Sequence, residues 1–113
     1  MREQPDKEDS RFAVQTRPDR ERAFVVAQGE LDVATVAHVR GAVGELRSAG
    51  WDRIVLDLRG LTFMDSTGLC LLVELDRDAR RESWQLTIQD GSGPVRRLLE
   101  LSGLATHFVV IRD

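Results

Sequence analysis

From Ala23 onward, short β-branched runs alternate with segments of helical period, and that alternation admits few folds. The runs are Ala23–Ala27 (AFVVA), Arg53–Leu58 (RIVLDL), Trp84–Ile88 (WQLTI) and Phe108–Ile111 (FVVI). Strands separated by helices join through right-handed crossovers into a mostly parallel sheet with helices packed against it. Upstream, Phe12, Val14 and Thr16 alternate with polar residues, and Pro18-Asp19-Arg20-Glu21 is a charged, turn-forming connection. That combination predicts an N-terminal hairpin whose first strand lies at an edge of the sheet. With 113 residues the chain is one α/β domain, long enough to bury roughly two thirds of its unfolded surface. Residues 1–10 (MREQPDKEDS) have opposed charges and nothing large to bury after Met1, so they are expected to be a mobile tail preceding a domain over 11–113.

The strand Arg53–Leu58 is apolar apart from Asp57, as a central parallel strand covered on both faces should be, and Arg59-Gly60 is expected to end it. Before it, Val36, Val39, Val43 and Leu46 recur at helical steps, with Asp32 as the expected N-cap and Gly50 as the stop. Gly41 and Gly44 each cost about 1 kcal/mol inside that helix, which suggests close backbone packing there. After it, a helix is predicted from Ser66. On a wheel of 100° per residue, Gly68, Leu71, Leu72, Leu75 and Ala79 form its core arc, while Leu69 and Val73 lie outside it beside Asp76, Arg77 and Arg80. That helix therefore carries more apolar surface than its core contact needs. Pro94–Leu101 is a last helix, with Pro94 at its opening and Gly103 past its end.

Composition removes several classes of function. Sixteen basic and nineteen acidic residues, interleaved in sign, give a net charge of −3, which argues against nucleic acid as a partner. Lys7 is the only lysine, so the folded part has no P-loop lysine, no Schiff-base lysine and no lysine to oppose a receiver-type phosphoacceptor at Asp57. His38, His107 and Cys70 are too few and too scattered for a zinc site, so no metal is expected. Cys70 has no disulfide partner, and no leader or membrane-length apolar run is visible, which predicts a cytoplasmic protein without a membrane partner.

Asp65-Ser66-Thr67 stands where the central strand gives way to its helix. All three residue types accept hydrogen bonds from first-turn amides, and a hydroxyl at that place faces solvent. A well-capped helix start is the plain reading of such a triplet. A hydrolytic Ser66 would need an adjacent base and a G-x-S-x-G elbow, and neither is present. No enzyme is predicted.

Gly29-Glu30-Leu31-Asp32, then Ile54–Leu58 followed by Leu61–Leu69 (LTFMDSTGL), then Val95–Leu104 (VRRLLELSGL), resemble in order and spacing the STAS domain of bacterial anti-sigma factor antagonists. The similarity covers about Phe12 to Ile111. It implies a single STAS-like fold and a phosphorylation-controlled binding module. Ser66 is then the acceptor for a partner that is both anti-sigma factor and serine kinase, with ATP bound by the partner and no cofactor in this chain. The unphosphorylated form binds that partner and frees the sigma factor, and a serine phosphatase is a further partner the resemblance allows. Asp32, Asp65, Thr67 and Gly68 are the implied flanking residues, and Leu69 and Val73, the surplus arc of the wheel, are the expected partner-binding residues, the plain alternative being ordinary surface; Cys70 replaces the small residue usual after Gly-Leu. The alternatives are a STAS scaffold subunit of a larger signalling assembly, or a small-ligand-binding or hydrolytic α/β domain. A phosphate on Ser66 would lie at the positive end of the helix dipole, where first-turn amides are expected to hold it.

Overall fold

Each β-branched run forms a strand in a five-stranded sheet of order β1-β2-β3-β4-β5. The strands are β1 (Phe12–Asp19), β2 (Arg22–Leu31), β3 (Arg53–Met64), β4 (Gln85–Gln89) and β5 (Val110–Ile111). The structure, a computed structural model, describes residues 12–91 and 93–111, so the tail expected over 1–10 lies outside the described residues. β1 pairs antiparallel to β2 at the edge, across a turn with Arg20 at φ 64°, and the remaining pairs are parallel. The helices are α1 (Val36–Ser48), α2 (Ser66–Glu82) and α3 (Pro94–Ser102).

Register explains the core. Ala23, Ile54 and Leu86 are ladder partners, as are Val25, Leu56 and Ile88, so the same face of three neighbouring strands is apolar. It packs against Val36, Val39 and Val43 of α1, Leu71, Leu72, Leu75 and Ala79 of α2, and Val95 and Leu99 of α3 in one cluster. Each of the valine and leucine side chains contributes about 1.5–3 kcal/mol when fully buried. The other face is closed differently. Phe24 and Val55, partners in the ladder, are buried but stand outside that cluster, and the guanidinium groups of Arg17 and Arg22 each lie 4.9 Å from the Phe24 ring centroid. Beside them, buried Asp57 accepts from Arg59 through its backbone N–H (3.1 Å), Nε (3.0 Å) and Nη2 (2.9 Å). Burial works against that carboxylate, but the Arg59 hydrogen bonds together with the charges of Arg59 and Arg17 outweigh it and hold its pKa below the usual value.

Four expectations are corrected. Gly60 does not end β3, which continues to Met64 because β2 is long enough to pair with it as far as Leu31. A Cβ at Gly60 would come within 2.8 Å of Gln28 Cγ and 3.3 Å of the Ala27 carbonyl oxygen, so this glycine permits close strand approach. Asp32 is not the N-cap of α1: its carboxylate accepts from the Ala34 amide at 3.0 Å, making a local turn, and the helix begins at Val36 after Thr35. Gly41 and Gly44, expected in close packing, are exposed, and a Cβ at either meets nothing within 4 Å. Asp76, which the wheel groups with surface charges, is buried. It accepts from Arg80 Nε at 2.9 Å and lies 3.2 Å from His107 Nε2, because the connection from α3 to β5 lies over it.

Candidate functional site

β2 and β3 run parallel and end together, with Leu31 opposite Met64 and the Asp65 amide 3.4 Å from the Leu31 carbonyl oxygen. The chain therefore leaves two adjacent strands at one end of the sheet, with Asp32 and Asp65 the residues that follow them. In open parallel sheets, this carboxyl end of the strands is where sites are found.

Asp65 caps α2. Its extended backbone (φ −106°, ψ −169°) turns the carboxylate back over the helix, and Oδ1 accepts from the Thr67 amide at 2.9 Å and the Gly68 amide at 3.3 Å. Its carbonyl oxygen accepts from Leu69 N–H at 3.1 Å. Two of the first-turn amides expected to hold a phosphate, those of Thr67 and Gly68, are thus already occupied by Asp65. Ser66 is the first helical residue; it is exposed, and its hydroxyl makes no hydrogen bond among the described residues. Thr67 is half-buried. Gly68 is buried, and a Cβ there would come within 2.5 Å of Met64 Cγ and 3.2 Å of Leu31 Cδ2. What Gly68 contributes is space for α2 to start directly over the ends of β2 and β3.

The helix wheel holds for the core arc: Gly68, Leu71, Leu72, Leu75 and Ala79 are buried. Leu69 and Val73 are half-buried, touch the edge of the core, and share a shallow groove with Cys70 and Leu104. Next to Met64 lies a second groove that sequence reasoning misses, about 430 Å³ in volume and lined by Phe63, Met64, Pro94, Arg97, Leu98 and Leu101. Phe63 and Leu101 are 45% and 79% exposed, so this groove presents apolar surface near the end of β3. A signal for it exists in the sequence: on the wheel of α3, Leu101 lies opposite the buried Val95 and Leu99.

Neither histidine serves Ser66. His38 stacks on Phe12 with centroids 5.9 Å apart, and His107 bonds Asp76, which is ten residues along α2 from Ser66, about 15 Å at 1.5 Å per residue. Among the described residues no group of His, Cys, Asp and Glu could hold a metal ion. No helix among them is long and apolar enough to cross a membrane.

Residues 14–112 match the family model described as Mlab, STAS domain. An anti-sigma F factor antagonist of Paenibacillus polymyxa is 35% identical over 82 residues, covering 72% of this chain and 70% of the relative. The solved structure of the anti-sigma factor antagonist SpoIIAA in its unphosphorylated form superposes with a TM-score of 0.73 at 25% identity, covering 89% of this chain and 88% of that one. The structure of the Bacillus cell fate determinant SpoIIAA in the phosphorylated form superposes with a TM-score of 0.69 at 24% identity, over 89% and 91%. Fold, motif order and these matches agree: the chain belongs to the STAS-domain family of anti-sigma factor antagonists.

Proposed function

We propose that this protein is an anti-sigma factor antagonist that works by switching partners, with Ser66 as the switch. In the unmodified state it binds an anti-sigma factor through the end of the sheet around Ser66, and the sigma factor is released. The anti-sigma factor is also the kinase. The bond between the γ-phosphorus of its ATP and the β–γ bridging oxygen breaks as the bond to Ser66 Oγ forms, ADP leaves, and the hydroxyl proton passes to a base of the partner. The protein itself binds and does no catalysis.

The observation that carries this reading is the hydroxyl of Ser66. It is exposed, without a hydrogen-bond partner among the described residues, and fixed at the first position of a helix whose start is held by Asp65 and Gly68. A kinase needs a hydroxyl it can reach, on a rigid support. Apolar surface in two grooves, one with Leu69 and Val73 and one with Phe63 and Leu101, is what a partner covering this end would bury. Adding about −1.5 to −2 charge at that end opposes binding by like-charge repulsion and desolvation.

The test is direct. Incubated with its anti-sigma kinase and ATP, the protein should gain one phosphate on Ser66, seen by mass spectrometry, and Ser66→Ala should gain none. Ser66→Asp should fold normally and bind that partner at least about tenfold more weakly than the unmodified protein. Phosphate on Thr67 in the Ser66→Ala variant, or full affinity in Ser66→Asp, would overturn the assignment.

A further inference from the structure

Of the first-turn amides of α2, Asp65 already holds those of Thr67 and Gly68. Its Oδ1 takes both Thr67 N–H and Gly68 N–H, and its carbonyl oxygen takes Leu69 N–H. A phosphate on the neighbouring Ser66 would seek the same donors, since the positive end of a helix and its unpaired N–H groups attract any nearby anion. Within α2 itself no cation stands near Ser66. Among the described residues neither Asp32 nor Asp65 is ion-paired, and the first basic residue along α2 is Arg77, eleven residues from Ser66 and about 16 Å along the axis.

We propose that Asp65 and the phosphoryl group of Ser66 compete for the Thr67 and Gly68 amides, that Asp65 keeps them, and that the phosphate is therefore turned outward into solvent. This rests on the reading of Ser66 as the modified residue. It gives Asp65 a positioning role: it excludes the phosphate from the helix N-terminus, where it would be sheltered, and presents it on the surface that a partner must cover or a phosphatase must reach. A carboxylate has the advantage on two counts. It is the N-cap residue, from which a short side chain reaches back to the second and third amides, and its backbone already has the extended conformation that this bond requires. A phosphate on the first helical residue must fold back over its own turn to do the same.

The competition is measured without the kinase, by installing phosphoserine at position 66 during synthesis in the native chain and in Asp65→Ala. In the native chain the phosphate should leave the Thr67 and Gly68 amide resonances near their unmodified positions and should not raise the melting temperature. In Asp65→Ala the vacated amides accept the phosphate, so those two resonances should move downfield and the melting temperature should rise by about 4 °C relative to unphosphorylated Asp65→Ala, the size expected for a regained cap. Asp65→Asn keeps a capping side chain and should behave like the native chain. A phosphate that shifts both amides and raises the melting temperature of the native chain as much as that of Asp65→Ala would overturn the proposal, and so would an Asp65→Ala chain that the phosphate does not stabilise. Because the phosphoserine is placed chemically, these outcomes do not depend on whether a kinase modifies Ser66.

Discussion

α1 and α2 start from adjacent strands at the same end of the sheet, yet they begin in opposite ways. α2 begins one residue after β3, with a carboxylate capping two amides and a glycine pressed against Met64 and Leu31. α1 begins four residues after β2, behind a turn built on Asp32 and Thr35, with no side-chain bond at its cap and two exposed glycines in its body. The difference follows from what each helix has to hold. α2 carries Ser66 at its first position, and any play in its first turn would move that hydroxyl. α1 presents to the core a packing stripe of Val36, Val39 and Val43, which tolerates a looser approach.

The largest expected effect tests the tight start of α2. Gly68→Ala places a Cβ 2.5 Å from Met64 Cγ and 3.2 Å from Leu31 Cδ2, so either Met64 or the helix must move. Overpacking of that kind costs about 1–3 kcal/mol, read as a lowered midpoint in urea or heat. A neutral Gly68→Ala would mean that α2 can shift without cost, and the contrast between the two helices would fail.

The same substitution in α1 should have the opposite sign. At Gly41 and Gly44 the added methyl meets nothing within 4 Å, so alanine only removes backbone freedom from the unfolded chain and improves helix propensity. Each of Gly41→Ala and Gly44→Ala should stabilise the fold by about 0.5–1 kcal/mol in the same denaturation experiment. If either destabilised it instead, α1 would be as closely packed as α2 is at Gly68.

Glycines also mark how far the sequence can be read. The strand and helix order, the edge hairpin and the core arc of α2 follow from periodicity, which depends on neighbours along the chain and survives without coordinates. Whether a glycine is a stop, a close approach or a cost carried for no packing gain depends on what lies across from it. Gly60 looks like the end of β3 and instead lets β2 come near; Gly41 and Gly44 look packed and are open. The burial of Asp76 is hidden for the same reason, since the connection that covers it comes from more than twenty-five residues further along the chain. At the site, Asp65 is legible as a capping type and Ser66 as an exposed hydroxyl, because both depend on the strand-to-helix boundary. Occupation of the amides by Asp65 itself, and the groove beside Phe63, require the fold.

The smallest expected effect concerns the link between the two helices. Arg40 of α1 and Glu74 of α2 form a two-pronged pair, Nε to Oε2 at 3.0 Å and Nη2 to Oε1 at 3.1 Å, with both side chains nearly half exposed. Hydrogen bonding from Arg40 is the main cause that lowers the pKa of Glu74, and the same bond raises that of Arg40. A carboxylate with a lowered pKa in the folded state contributes stability that is present above its unfolded value, about 4.3, and is lost as pH falls through the folded value. Exposure limits the size, so a double-mutant cycle with Arg40→Gln and Glu74→Gln at about pH 7 should give a coupling of about 0.2–0.5 kcal/mol, fading as pH drops below about 4 and in high salt. A coupling above about 1 kcal/mol that persists in salt would mean that α1 is clamped to α2 and shares the rigidity of the turn that holds Ser66. The contrast between a held helix and a merely packed one would then have to be given up.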